Sequence, residues 1–205
     1  MRQEIVVKKA VTRQDFARAV QLQTEVYRES GYLPKHKPPH KPVFPKKVNT
    51  GVDEIVYLTG LQDTAFPTEQ LIGTISLTIG AVSTCCAALR SFPIYFQRLC
   101  SEKRKFLYIG SLAILPRYRP HRGVVMSLIQ ATMDEAVEKR AERVLCVVHP
   151  KHLSFYTKCL GFIEIDQCKN MPGLINAPAI LLEAAVSEVC RRLARLTKRA
   201  DCLLC

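Results

Sequence analysis

An apolar run, Tyr108 to Leu115, stops at Pro116 and gives way to a short cationic turn. That turn holds Arg117, Arg119, His121 and Arg122, and Gly123 then opens an amphipathic stretch. A strand feeding a helix start through a basic turn is a place to hold an anion. The first N–H groups of a helix lack intrahelical partners, and the helix dipole adds positive potential there. Arg119, Arg122 and the amides of Gly123, Val124 and Val125 are therefore the groups expected to bind phosphate. Pro120 has no N–H and the turn contains a single glycine, so close wrapping of a pyrophosphate is compromised. A single phosphate fits the turn better.

The elements that must position this turn follow from periodicity and punctuation. Glu4 to Ala10 reads as a strand, and Thr12 caps a helix over about 13–29 with Asp15 in a capping-box position. Phe16, Val20, Val26 and Tyr27 fall near one face of that helix, and Gly31 stops it. Residues 34–47 are rich in proline and lysine and form a basic loop, simply solvated in the more common case, with a mobile lid over a substrate channel as the sharper minority reading. His36 and His40 lie in it without the helix that a metal pair at that spacing needs. Val52 to Thr59, Leu71 to Ile79 and the run 107–115 read as strands. Ala81 to Arg90 and Ile94 to Cys100 read as helical, broken near Pro93. A helix over about 122–140 presents Val124, Val125, Leu128, Ile129, Ala136 and Val137 at helical spacing. Arg143 to Val148 is a strand, and Pro150 starts a helix ended by Gly161. Phe162 to Ile165 and Ala177 to Ala184 are strands. A last helix from about Ser187 turns Val189, Leu193, Leu196 and Ala200 inward and a basic face outward. That face implies solvation first, partner docking second and peripheral membrane contact third.

Composition bounds the setting. At 205 residues the chain supports one well-filled core, so 1–205 is read as a single domain of α/β (α+β) class. No run of about 18 apolar residues suggests a spanning helix, and the N-terminus is too polar for a signal peptide, so cytoplasm is expected. The nine cysteines are odd in number and scattered. Cys202 and Cys205 lack the strand–helix context of a redox motif, and no second ligand pair suggests zinc; buried thiols are expected, with no metal site. A net charge of +12 calls for an acidic partner. No nucleic-acid-binding signature is present, so none is expected.

Three stretches carry a resemblance: Gly110-Ser-Leu-Ala113; His149-Pro-Lys-His-Leu-Ser-Phe-Tyr156 with Gly161-Phe162; and Pro172 to Ala179. Leu22 to Tyr32, with Val26-Tyr27 and Gly31-Tyr32, and Ile72 to Leu77 match in character. The element order resembles the GNAT-type N-acyltransferase fold, a mixed central sheet flanked by helices, here with an additional basic C-terminal helix. The ordered motifs over 20–184 resemble the N-acyl amino acid synthase family, relatives of the acyl-homoserine-lactone synthases. Phe155 to Phe162 looks like the Tyr-x-Lys-x-Gly-Phe ending of GNAT enzymes, one residue longer. Relatives place a carboxylate before the Gly-Ser-Leu-Ala stretch, where this chain has Tyr108 and Ile109. Lactone synthases place an arginine before the Val-Tyr-like pair, where this chain has Glu25.

The resemblance implies transfer of a long acyl chain from acyl carrier protein to the α-amine of an amino acid such as tyrosine. It implies no permanently bound cofactor; the donor is acyl-phosphopantetheine on the acidic carrier, with acyl-CoA as the alternative. By the same resemblance the oxyanion is met by backbone N–H groups of Leu112, Ala113 and Ile114, with Leu115 bordering the donor. Tyr156 matches the tyrosine that protonates the departing thiolate; its alternative is a tyrosine packed on the sheet with a satisfied hydroxyl. His152, four residues before it, is placed to accept the amine proton, or else bonds backbone or a carboxylate at a helix start. Two other readings stand beside this one: an acetyl-CoA-dependent N-acetyltransferase, and a non-catalytic basic binding protein on the same fold.

Overall fold

The computed structural model describes residues 3–34, 53–63, 69–80, 89–102, 105–171, 174–175 and 177–202. The lid reading of 34–47, the histidines at 36 and 40, most of the helical stretch expected over 81–90, and the cysteines at 85, 86 and 205 lie outside these residues.

Eight described strands form one mixed sheet: β1 (Gln3–Lys9), β2 (Asp53–Asp63), β3 (Glu69–Gly80), β4 (Phe106–Ile109), β5 (Ala113–Ile114), β6 (Arg143–Val148), β7 (Ile163–Cys168) and β8 (Ala179–Ala185). Their order is β1-β2-β3-β4-β6-β8-β7, with β5 beside β3. Among these strands only β4 and β6 run parallel, joined by a crossover through α3 (Arg122–Glu138), as a parallel connection requires. Helices α1 (Arg13–Glu29), α2 (Pro93–Ser101) and α4 (Val186–Cys202) pack on this sheet.

Strand alternation assigns the central residues to two faces. Leu107, Ile109, Val144, Cys146, Ile180 and Leu182 pack with Leu128 and Met133 of α3 and Val189 and Leu193 of α4. Phe106, Tyr108, Leu145 and Leu181, on the other face, pack with Phe92, Tyr95 and Leu99 around α2. All four residues of β4 are buried, which explains why the sequence there is apolar without alternation. On α3, Val137 is exposed rather than inward, while Glu135 is buried and pairs with Lys9 at 3.3 Å.

The capping box of α1 is present: Asp15 N donates to Thr12 Oγ1 (3.1 Å) and Thr12 N to Asp15 Oδ2 (3.1 Å). The run expected as one strand over 107–115 breaks after Ile109. The helix expected between Pro150 and Gly161 is instead a 3₁₀ turn, Pro150–His152, followed by a π-helix, Phe155–Leu160. Among the described residues Cys146, Cys159, Cys168 and Cys190 are free thiols, and no group of side chains is arranged to hold a metal. No described helix is long and apolar enough to cross a membrane.

Candidate active site

The break in the central strand opens the sheet. β4 pairs with β6 as far as Ile109 opposite Cys146. Beyond that point β5 stays with β3, through Thr74 opposite Ala113 and Gly73 opposite Ile114, while Val147 and Val148 continue with β8. The two halves diverge, and the wedge between them is the mouth of the site.

A bulge sets the divergence. Gly110 N donates to Ser76 O at 2.7 Å and Leu115 N to Ile72 O at 3.0 Å. Ser111 and Leu112 therefore share the place opposite Ile75, one residue more than the partner strand supplies. Leu115 spends its amide on β3, so that N–H is not free to meet a donor. Ile114 lies one residue out of phase and turns its N–H and C=O away from β3; its carbonyl accepts from Arg119 Nε at 3.1 Å. Gly110 is needed for close approach: a Cβ there would lie 2.7 Å from Ser76 Oγ.

One wall comes from α1. The hydroxyl of Tyr27 hydrogen-bonds the side chains of Ser111 and Gln23, yet burial raises its pKa. The helix closes with Gly31 at φ 78°, with Gly31 N donating to Arg28 O and Tyr32 N to Tyr27 O. This is a Schellman motif, and its usual apolar contact is made here by the edge-to-face rings of Tyr27 and Tyr32, 6.0 Å apart. Gly31 thus delivers Tyr32 to the cavity. The Tyr32 ring lies 5.7 Å from that of His149, Lys151 Nζ sits 5.0 Å above it, and its buried hydroxyl has no hydrogen-bond partner among the described residues.

The opposite wall is the segment after β6. Lys151 N donates to His149 Nδ1 at 3.2 Å, which assigns the neutral-ring proton of His149 to Nε2. His149 therefore has no free lone pair with which to take a proton. His152 has no such engagement among the described residues. Its pKa is lowered from 6.5, first by desolvation and then by Lys151, His149 and Arg119, although part of the residue faces solvent. Tyr156 is 6% exposed, and its ring contacts Phe155 and Phe162 edge to face. Desolvation, followed by Cys146 and Tyr27, pushes its pKa far above neutrality, so the phenol keeps its proton. The extra residue noted between Tyr156 and Phe162 is absorbed by the π-helix. Gly161 N and Phe162 N both reach back to Tyr156 O, and Gly161 adopts φ 80° to make the turn. π-Bulges of this kind concentrate at functional sites.

These walls enclose about 670 Å³, within the ~300–1,000 Å³ usual for small-molecule sites. Of the expected residues, Leu112, Ile114, Arg119, Val125, His152 and Tyr156 line it. Ala113 packs on Leu22 and Val26 of α1 instead. Arg122 and Gly123 sit exposed at the start of α3, outside the cavity wall. A Cβ on Gly123 would lie 3.1 Å from Ile5 Cδ1, so packing on β1 also accounts for that glycine. Val124 is core, and its amide donates to His121 O at 3.0 Å; of the three amides expected at the turn, this one is already engaged.

Sequence reasoning missed Tyr27, Ser111, Tyr32 and Lys151 as site residues. The signal was present in the Val-Tyr, Gly-Tyr and Gly-Ser-Leu-Ala motifs, but not the geometry that joins them. The charge of the cavity is one-sided. Arg119, Lys151, His149 and His152 line it, and no Asp or Glu does among the described residues.

The family model described as N-acyl amino acid synthase FeeM matches residues 18–185. Among solved structures, FeeM, an N-acyl amino acid synthase from uncultured soil microbes, superposes with a TM-score of 0.71 at 22% identity, over 91% of this chain and 93% of that one. Arabidopsis thaliana NAA60 in complex with acetyl-CoA gives 0.61 at 16% identity, over 90% and 99%. Spermidine N-acetyltransferase from Vibrio cholerae, in complex with CoA and spermine, gives 0.55 at 16% identity, over 90% and 97%. No curated protein matches the sequence. The fold is that of the GNAT acyltransferases.

Proposed function

The chain belongs to the N-acyl amino acid synthase FeeM family, and from that premise we propose that it moves a long acyl chain from acyl carrier protein to the α-amine of an amino acid. The observation that carries this reading is the wedge itself. Ile114, whose backbone amide turns away from β3, lines one cavity with a buried, protonated Tyr156 and a neutral His152.

The chemistry follows from those groups. An amine enters as ammonium and loses one proton to His152 before it attacks the thioester carbon. The C–N bond forms, and the carbonyl oxygen gains charge beside the backbone N–H groups of the bulge segment. One preorganised donor there is worth roughly 3 kcal/mol in the transition state. The C–S bond then breaks, the thiolate takes the proton of Tyr156, and the second amine proton, lost as the amide forms, restores the Tyr156 phenol. Of the two protons that leave the nitrogen, one thus ends on the thiol by way of Tyr156, and the one first taken by His152 passes to solvent.

The donor reading is supported by the basic turn. Arg119 reaches the cavity, Arg122 stands exposed at the start of α3, Pro120 has no N–H, and the Val124 amide is engaged. These groups suit the single phosphate of phosphopantetheine better than the pyrophosphate of coenzyme A. The net charge of +12 suits an acidic carrier. The experiment supplies purified protein with matched acyl-carrier protein and acyl-CoA of one chain length plus an amino-acid mixture, and reads N-acyl amino acids by mass spectrometry. Product made faster from the carrier supports the reading. A wide advantage for acyl-CoA refutes the donor assignment, and the absence of any N-acylated product refutes the reaction.

A further inference from the structure

We infer that Tyr32 and Lys151 form the seat of the acceptor's α-carboxylate, so that the site selects free amino acids over amides, amines and polyamines. The inference rests on the reaction proposed above and adds the part of the acceptor that is recognised.

The charge of the cavity supplies the first argument. A site built for a polyamine or other cationic acceptor needs carboxylates, and none lines this cavity among the described residues. An α-amino acid instead brings an anionic group that needs a cation. Among the described residues two permanent cations line the wall, Arg119 and Lys151. Arg119 Nε is held by the carbonyl of Ile114 beside the basic turn. The Lys151 ammonium rests 5.0 Å above the Tyr32 ring.

Spacing points the same way. In an α-amino acid the carboxyl carbon and the amine are separated by only two bonds of about 1.5 Å each. The cation that binds one and the base that deprotonates the other must therefore be near neighbours. Lys151 and His152 are consecutive in the 3₁₀ turn Pro150–His152, and both line the cavity.

Tyr32 supplies the third argument. Its hydroxyl is buried without a partner among the described residues, and a buried donor left unpaired costs stability unless something accepts from it. The Schellman turn at Gly31 and the bond from Ile175 N to Tyr32 O (2.9 Å) fix the residue in place. A carboxylate accepting from the Tyr32 hydroxyl and paired with Lys151 satisfies both groups at once.

The test compares one amino acid with its C-terminal amide and its decarboxylated amine as acceptors for a single acyl donor. The wild-type protein is expected to prefer the free acid by at least about tenfold in kcat/KM. Lys151→Ala and Tyr32→Phe should raise the acceptor KM and shrink that preference while leaving the donor KM unchanged, and Lys151→Arg should retain it. An amide used as well as the acid, or a preference untouched in both variants, overturns the inference while leaving the reaction standing. The absence of N-acylated product from all three acceptors overturns the reaction itself. Calorimetric binding of an N-acyl amino acid against its amide tests the same seat without turnover: tighter binding of the acid supports it, and equal affinities overturn it.

Discussion

The hydroxyl of Tyr27, on α1, is hydrogen-bonded to the side chain of Ser111, one of the two residues that share the bulge. A helix distant from the bulge in sequence is thereby tied to the backbone segment proposed to meet the oxyanion. Tyr27→Phe keeps the ring against Tyr32 and removes only the hydroxyl's bonds to Ser111 and Gln23. It should cost about 1 kcal/mol of stability and lower kcat by about tenfold through a slightly misplaced bulge. Ser111→Ala should do the same, and the double variant should lose little more than either single one. Urea unfolding and steady-state kinetics on the cycle check this; additive losses would separate the two residues.

Tyr156→Phe fits the same aromatic packing with Phe155 and Phe162, so the fold should persist. The proton for the departing thiolate is lost, and general-acid contributions of this kind run to about 10²–10⁴ in rate. The deficit should shrink with a donor whose thiol is more acidic, because that thiolate leaves without help. A deficit equal for alkyl and aryl thioesters would assign the tyrosine to packing.

His152 is held below 6.5, foremost by desolvation and then by the neighbouring cations. The base is active when neutral, so kcat/KM should fall only as pH drops through a midpoint below 6.5. Removing a neighbouring cation relieves repulsion of the charged imidazole, so Lys151→Met should move the midpoint upward. His152→Gln should abolish that limb. A pH–rate profile of the three proteins decides, and a midpoint that moves downward in Lys151→Met would contradict the electrostatics.

Gly161 closes the π-helix at φ 80°, and a Cβ there would stand 2.6 Å from Arg192 Nε. Arg192 in turn donates to Lys158 O (2.9 Å) and to Glu188 (2.6 Å), which links α4 to the π-helix carrying Tyr156. Gly161→Ala should destabilise by about 1–2 kcal/mol from the left-handed backbone alone, or roughly 2–4 °C in Tm per kcal/mol. Adding Arg192→Ala should remove the clash but not the backbone cost. The Glu188 carboxyl is held at about 2 against an ordinary 4.5, first by Arg191 and then by Arg192. Its contribution is complete above 4.5 and is lost as pH falls toward 2. Glu188→Gln should flatten stability over that window in thermal unfolding.

The order of elements is legible in the sequence because each carries its own punctuation: Thr12 and Asp15 at the start of α1, Gly31 at its end, Pro150 and Gly161 around the last site segment. The break at Ser111 and Leu112 is not, since a fully buried strand and the bulge that interrupts it draw on similar residues. The extra residue between Tyr156 and Phe162 is visible as a spacing. Its meaning is not, because a π-turn is defined by which carbonyl an amide reaches and not by residue type. The basic turn stands out in the sequence as a cationic strand-to-helix junction. Which of its amides are already spent is a matter of backbone pairing that composition does not encode. Tyr32 and Lys151 are far apart in the chain, and only the fold puts one above the other.

A cavity lined by cations and imidazoles and by no carboxylate among the described residues treats the two ends of the proposed reaction differently. An amino acid arrives as a zwitterion with no net charge. Its N-acyl product has lost the ammonium and keeps the carboxylate, so it leaves as an anion with an apolar tail. The proposed site should therefore bind an N-acyl amino acid more firmly than the free amino acid, and added product is expected to inhibit competitively against the acceptor.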